Sequence, residues 1–305
     1  MSRPIVTVVL ATYNGERFLP EQLASLIAQS RKPDRLLLRD DGSTDHSVEL
    51  VQSWAELNGV ALQQVIGPRL GPARSFLKAL QAAEPADVFL FCDQDDVWLP
   101  CKIERALDLV PWGQNDPPTL CATRLEVVNE NLQPLRLSAL PSGLSFASAA
   151  CESLLTGCTM AFNAAFRELL VRALPEQAVM HDWWCYLLAT GAKGAALYFD
   201  PTPTLRYRQH GSNALGVGPT GWAALKARGR RFVGRDSALR SMQLQEFAKL
   251  HGPELSAQAT AILSQLVAAK HGWVPRLRAS LMAPIHRQTF FATLTTRLAL
   301  LTNRF

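Results

Sequence analysis

Apolar residues along the first part of the chain come in short unbroken runs separated by helical-spaced segments. Residues 5–11 are a continuous apolar, β-branched run, the pattern of a parallel strand buried on both faces. Leu19, Leu23, Leu26 and Ile27 then recur at helical spacing. Leu36, Leu37 and Leu38 predict a second strand. Val48, Leu50, Val51 and Trp54 predict a second helix, with Ser43 or Thr44 as its cap and Asn58-Gly59 as its close. A weaker strand follows over 61–66, and Gly71-Pro72 opens a helix to about residue 83. Residues 88–92 are a short, wholly apolar strand, and Pro100 stands where a helix tolerates proline, in its first turn. The order βαβαβαβ predicts an α/β fold, a doubly wound, mostly parallel, Rossmann-like sheet.

Beyond Pro111 the regularity drops. Residues 120–128 predict a strand, 129–131 a turn, and 134–148 a Leu/Ser/Pro-rich segment lying over the surface near the site. Residues 156–163 read as a strand leading into a helix through Leu170, and His181-Asp182 opens another helix. Residues 195–199 and 204–207 predict two separate strands. From about residue 220 the pattern is all helical, so the expected organisation is an α/β domain over 1–219 and a basic C-terminal helical extension over 220–305.

Charge sharpens that division. Residues 220–305 hold 13 basic and three acidic residues, a net +10 within a chain of net +5, which leaves −5 for the rest. An asymmetry of this kind points to an anionic partner. Arg287, Arg297 and Arg304 flank Phe290, Phe291, Leu294, Leu298 and Leu301 at helical spacing. That is the composition of a helix lying on an anionic leaflet, and packing against the α/β domain is the competing reading. No nucleic-acid-binding module is recognisable, so nucleic acid is not expected as a partner. Six cysteines without a CxxC pair read as free thiols of a reducing compartment. With no signal peptide and no apolar run of spanning length, the expected location is cytoplasmic, with peripheral contact at the inner membrane face.

The strand over 88–92 ends in Asp93-Gln94-Asp95-Asp96, three carboxylates within four positions. Crowded carboxylates repel and resist burial, so a cation is expected there, and a hard divalent ion suits oxygen ligands. An EF-hand is excluded, because counting from Asp93 puts Trp98 where that loop needs glycine. Two other strands end in polar turns: Thr12-Tyr13-Asn14-Gly15 after the first and Asp40-Asp41-Gly42-Ser43 after the second. Open α/β sheets bind ligands at such strand ends. No GxGxxG or Walker lysine loop is present, which weakens dinucleotide and P-loop readings.

Taken in order, these three turns resemble those of the family 2 glycosyltransferases of GT-A fold. The segments DQDDVWLPCKI from Asp93, His181-Asp182-Trp183-Trp184, and RYRQHGSNALG from Arg206 are similar to bacterial rhamnosyltransferase-like members. The resemblance spans residues 4–216. It implies that Thr12, Tyr13 and Asn14 line the base and ribose of a nucleotide sugar, and that Asp40 or Asp41 accepts a pyrimidine N–H. It further implies that Asp93 contacts the ribose, while Asp95 and His210 ligate Mn²⁺ or Mg²⁺. Arg74 would meet phosphate or stand as a surface arginine, and Asp182 would be the catalytic base or only the cap of its helix. Asp96, Trp183 and Trp184 are the expected acceptor contacts, with Asp96 alternatively orienting Asp95 and either tryptophan alternatively packing in the core.

The implied activity is inverting, metal-dependent transfer of a sugar, with dTDP-L-rhamnose the expected donor and a lipid-linked or surface glycan the expected acceptor. Two other readings stay open on the residues: a sugar nucleotidyltransferase, which would need a Gly-rich basic loop after the first strand, and a non-catalytic nucleotide- or glycan-binding protein.

Overall fold

A computed structural model describes residues 3–113, 115–211 and 235–305, with side chains from residue 238 in the last segment. Nine strands form one sheet. They are β1 (Val6–Thr12), β2 (Arg35–Asp40), β3 (Ala61–Ile66), β4 (Val88–Asp93), β5 (Val97–Trp98), β6 (Thr119–Val128), β7 (Pro134–Leu137), β8 (Met160–Asn163) and β9 (Ala196–Arg208). The order is β3-β2-β1-β4-β8-β6-β9-β5, with β7 beside β6. The first four strands are parallel, as the alternation of runs predicts. β8 is antiparallel to both neighbours, and β9 runs parallel to β6.

Both faces of the parallel half are covered. Val8, Leu10, Leu36, Leu38, Leu90 and Cys92 point to one side, where α1 (Leu19–Ile27), α2 (Ser47–Asn58) and α4 (Lys102–Leu109) pack. The intervening Val9, Leu37, Phe89 and Phe91 point to the other, beneath α3 (Pro72–Ala82), α6 (Ala164–Val171) and α7 (His181–Gly191). This two-sided burial explains why the strands read as unbroken apolar runs. Because β1 lies between β2 and β4, helices leave it to opposite faces. The register sets Thr12 beside Asp40 and Ala11 beside Asp93. Three carboxyl ends thus meet at the switch point, where such sheets leave a crevice.

Several expectations change. Ser43 and Thr44 do not cap α2, which starts at Ser47; both are drawn instead into the turns before it. Gly59 does close α2, in a left-handed conformation (φ 63°) that glycine adopts without strain. The two strands expected over 195–207 are one strand, β9. Asp200-Pro201-Thr202-Pro203 looks like a break in sequence, yet the chain passes through it as a register shift against β6, where missing N–H donors are tolerated. The segment 134–148 is only partly superficial. β7 is exposed at the sheet edge, whereas α5 (Phe146–Ala149) is wholly buried.

The C-terminal helices are α8 (Arg235–His251), α9 (Ala257–Ala268), α10 (Trp273–Met282) and α11 (Phe290–Leu301). They share one apolar cluster with α3, α6 and α7. Phe247 of α8 is fully buried, with its ring edge-on to Trp184 at 5.1 Å and 6.1 Å from Phe146. The expected boundary at 219/220 lies outside the described residues, as do Ser212 and Asn213 of the motif after β9 and the side chains of Lys226, Arg228, Arg230, Arg231 and Arg235. None of the six cysteines is paired.

The shared core predicts that the extension unfolds with the sheet. Phe247→Ala should destabilise the protein by about 3–5 kcal/mol. Urea unfolding followed by far-UV dichroism and by tryptophan fluorescence should still give one coincident transition, whereas two separated transitions would show the helices to be an independent unit.

Candidate active site

The two first turns and the acidic loop are stitched into one surface. Gln94 spans the gap: its Oε1 accepts from the Tyr13 N–H (2.9 Å) and its Nε2 donates to the Tyr13 carbonyl (3.3 Å). A Cβ at Gly15 would stand 2.4 Å from that Oε1, so glycine is what lets the turn close on Gln94. Asn14 takes a left-handed φ of 47°. Its N–H donates to Ser43 Oγ (2.9 Å) and its Oδ1 accepts from the Thr44 N–H (2.9 Å).

Asp40 and Asp41 are both buried and fully engaged. Asp40 accepts from the Thr12 hydroxyl (2.8 Å), the N–H groups of Gly42 and Ser43, and the Ser43 hydroxyl. Asp41 accepts from the N–H groups of Leu70 and Gly71 and from the Ser75 hydroxyl, and pairs with Arg39 at 3.0 Å. A carboxylate offers about four acceptor positions, so in this conformation the pair shapes the loops around the crevice. Tyr13 presents its ring there, with the Arg69 guanidinium 4.0 Å from its centroid. Arg74 is exposed in the first turn of α3.

The acidic loop differs in kind. Asp93 is half-buried and Asp96 fully buried. Burial, then the charges of Asp95 and Asp182, push the Asp93 carboxyl up to about 7. Burial and the charges of Asp95 and Asp93 push Asp96 well above the usual carboxylate range. Asp96 Oδ1 accepts from the Arg208 N–H (3.2 Å), while its Oδ2 has no hydrogen-bond partner among the described residues. Ligating atoms of Asp93, Asp96 and Cys158 lie within 4.8 Å of one another. Asp95 Oδ2 lies 2.8 Å from His210 Nε2, so the two residues expected to share a metal do stand together.

Two cations support this loop, and neither was singled out in the sequence. Arg208, buried at the end of β9, donates to the carbonyls of Asp95 (3.0 Å) and Glu130 (2.6 Å) and pairs with Glu21. Two residues on, His210 stacks on Phe18 at 4.4 Å. Arg208 is thereby tied to the same loop that His210 meets, a role its place two residues before that histidine would have suggested. Lys102 of α4 is 2% exposed, with Nζ 3.5 Å from Thr204 Oγ1 and 4.8 Å from the Trp98 ring centroid. Burial lowers its pKa, while its charge favours ionised Asp93 and Asp96.

Asp182 occupies the first turn of α7, not its cap position, which is Met180. Its Oδ1 accepts from the Trp183 N–H (2.6 Å) and its Oδ2 from the Gly157 N–H (3.1 Å). Burial pushes its carboxyl up to about 6 against those two donors. Behind it, His181 is buried against Phe76 (4.2 Å) and Phe91 (4.8 Å). Neither of its ring nitrogens has a partner among the described residues, and burial drops its pKa to about 3, so it is neutral.

The acceptor contacts need correction. Trp184 is fully buried beneath Phe247 and His251, so it cannot stack on a sugar. Asp96, also fully buried, supports the loop instead of meeting a ligand. Trp183 is half-buried, with its Nε1 donating to the Ala149 carbonyl (2.6 Å), and of the three it alone keeps exposed surface.

The donor set fits a divalent cation. It joins the Asp95 carboxylate to the His210 imidazole, with the Asp93 carboxyl close enough to feel the Asp95 charge. Asp95 and His210 would hold the ion, with Asp93 beside them.

Residues 7–171 match the family model described as Glycosyl transferase family 2. The dTDP-rhamnosyl transferase RfbG of Shigella flexneri is 26% identical over 221 residues, covering 68% of this chain and 74% of that protein. An uncharacterized glycosyltransferase of Nostoc sp. is 25% identical over 216 residues, covering 68% and 66%. Among solved structures, S. aureus TarS 1–349 in complex with UDP-GlcNAc superposes with a TM-score of 0.58 at 16% identity, covering 86% of this chain and 70% of that one. The mannosyltransferase PcManGT of Pyrobaculum calidifontis, in complex with GDP-Man and Mn²⁺, gives 0.50 at 16% identity, covering 99% and 87%. The solved structures support the GT-A fold, and the family match and curated relatives favour a glycosyltransferase over the nucleotidyltransferase and non-catalytic readings.

The Asp182 geometry yields a test at a residue with no side chain. A Cβ at Gly157 would stand 2.2 Å from His181 Nε2, so Gly157→Ala must displace either the ring or the N–H that holds Asp182. Turnover should fall by roughly 10- to 100-fold while nucleotide affinity, read by calorimetry, stays within about two-fold of wild type. Unchanged turnover would mean that the Gly157 contact does not set the Asp182 position.

Proposed function

This chain belongs to glycosyl transferase family 2, and on that premise we propose that it catalyses inverting, metal-dependent transfer of L-rhamnose from dTDP-L-rhamnose to a lipid-linked or surface glycan. The observation that carries the reading is the convergence of the Asp95–His210 pair with the raised Asp182 carboxyl. The rhamnosyl donor is supported by the likeness to RfbG over two thirds of the chain.

The nucleoside diphosphate would lie across the carboxyl ends of β1, β2 and β4, with its base near Tyr13 and its phosphates toward the acidic loop and Arg74. Thr12, Asn14, Asp40 and Asp41 form the wall of that crevice, and a base contact by Asp40 or Asp41 would have to displace one of their present donors. When bound, a divalent cation supplies charge neutralisation to the diphosphate as a leaving group. Asp93 stands beside that position, and its affinity for a proton falls as positive charge arrives.

Asp182 supplies the base. The acceptor hydroxyl oxygen forms a bond to the anomeric carbon from the face opposite the diphosphate. The bond from that carbon to the diphosphate oxygen breaks, and its electron pair leaves with the nucleotide. The hydroxyl proton passes to an Asp182 oxygen. A carboxylate with a pKa near 6 is a stronger base than an exposed aspartate and is still largely ionised at neutral pH. The half-buried Trp183 is placed to pack against the acceptor.

Nucleotide release from dTDP-L-rhamnose with a glycan acceptor should require Mn²⁺ or Mg²⁺ and be abolished by EDTA. Asp95→Asn should lose metal-dependent turnover while retaining the fold; full activity in EDTA would contradict the metal assignment.

The base makes a separate prediction. Since Asp182 must be unprotonated, turnover should rise with pH through about 6. Asp182→Asn should lower it by roughly 10²-fold or more and remove that limb. A wild-type profile flat from pH 5 to 7 would place the base elsewhere.

A further inference from the structure

The C-terminal helices leave an apolar surface uncovered. Of the 17 large hydrophobic residues that are substantially exposed among the described residues, nine lie on α10 and α11. On α10 the exposed positions are 273, 274, 277, 278, 281 and 282, which is one continuous helical stripe. It consists of Trp273, Val274, Leu277, Leu281 and Met282 with Arg278 among them. On α11 the exposed positions 290, 291, 294, 295 and 298 form a matching stripe, with Phe290 and Phe291 more than three-quarters exposed. The opposite sides face inward through Ala279 and Ser280 on α10 and Thr296, Ala299 and Leu300 on α11. The helices are locked side by side, with Ser280 Oγ donating to the Arg297 carbonyl (3.0 Å) and Arg297 donating to the Ala283 carbonyl (3.2 Å).

An exposed apolar surface of this extent marks an interaction site, and its charge selects the partner. No acidic residue follows Glu254, whereas Lys270, Arg276, Arg278, Arg287, Arg297 and Arg304 do. Arg287 is paired with Glu152 at 2.8 Å, while Arg278 and Arg304 are exposed. A second copy of this chain would bring two basic faces together, which Coulomb repulsion opposes. An anionic leaflet offers the complementary charge together with an apolar interior for the Trp and Phe rings.

We propose that α10 and α11 together form a monotopic docking face for an anionic lipid surface. This deepens the reading of a lipid-linked acceptor and assigns α10 a part equal to that of α11. Among the described residues no helix is long and apolar enough to cross a membrane, so contact through this face would be interfacial.

The test uses the full chain and sedimentation with vesicles, without donor or acceptor, so it can fail independently of the proposed reaction. Wild type should co-sediment with vesicles of phosphatidylcholine and phosphatidylglycerol at low salt. It should bind phosphatidylcholine alone weakly and be largely released by high salt. Leu281→Glu/Phe291→Glu places charge at exposed positions on both stripes. It should lower the bound fraction roughly 10-fold or more while nucleotide binding is retained. Arg278→Glu/Arg304→Glu should lower the salt concentration needed for release, a readout that holds even if the first variant folds poorly. Absence of wild-type binding, or binding unaffected by both variants, would overturn the proposal. So would a wild-type dimer that Leu281→Glu/Phe291→Glu converts to monomer with no vesicle binding.

Discussion

Four carboxylates stand close together at the crevice, and much of the surrounding architecture answers that constraint. Asp40 and Asp41 are balanced internally, each by four donors, and become parts of the loops they hold. Asp93, Asp96 and Asp182 are instead raised above the usual carboxylate range, and among the described residues Lys102 and Arg208 are cations beside them. A cluster in that condition is held at a cost to folding. It makes physical sense as a seat for charge that arrives with a ligand.

The fold supplies the rigidity such a seat needs. The parallel strands fix the relative heights of the Thr12, Asp40 and Asp93 turns through backbone register. β9 crosses beside β6 and delivers Arg208 and His210 from more than a hundred residues downstream. α7 brings Asp182 with its neutral, buried neighbour His181, and Trp184 anchors that helix beneath Phe247 of α8. The C-terminal helices therefore bear on the active site through the packing of α7.

Much of this was legible in the sequence because strands buried on both faces leave unbroken apolar runs, and their polar turns stand out against them. The position of Asp182 on a helix and the pairing of Asp95 with His210 also followed from the motifs. What was hidden depended on tertiary packing. Trp183 and Trp184 are adjacent in sequence, yet a turn of 100° on a helix sends the second into the core. Asp96 looks like its two neighbours but points inward, where the Arg208 N–H meets it. Ser43 and Thr44 have good capping chemistry, which the Asp40 and Asn14 turns use instead. Gly157 carries no chemical signal, and its importance appears only once His181 fills the space beside it.

If the acidic loop binds a metal ion together with a nucleoside diphosphate, it must give up protons as the ion arrives. Calorimetric titration of Mn²⁺ near pH 6.5, repeated in buffers of different ionisation enthalpy, counts the protons released on binding. The account predicts net proton release, because a carboxyl held near 7 at Asp93 must ionise beside the cation. It also predicts that Mn²⁺ and dTDP each tighten the other's binding. Binding of Mn²⁺ with no proton release, together with dTDP affinity unchanged by metal, would contradict it.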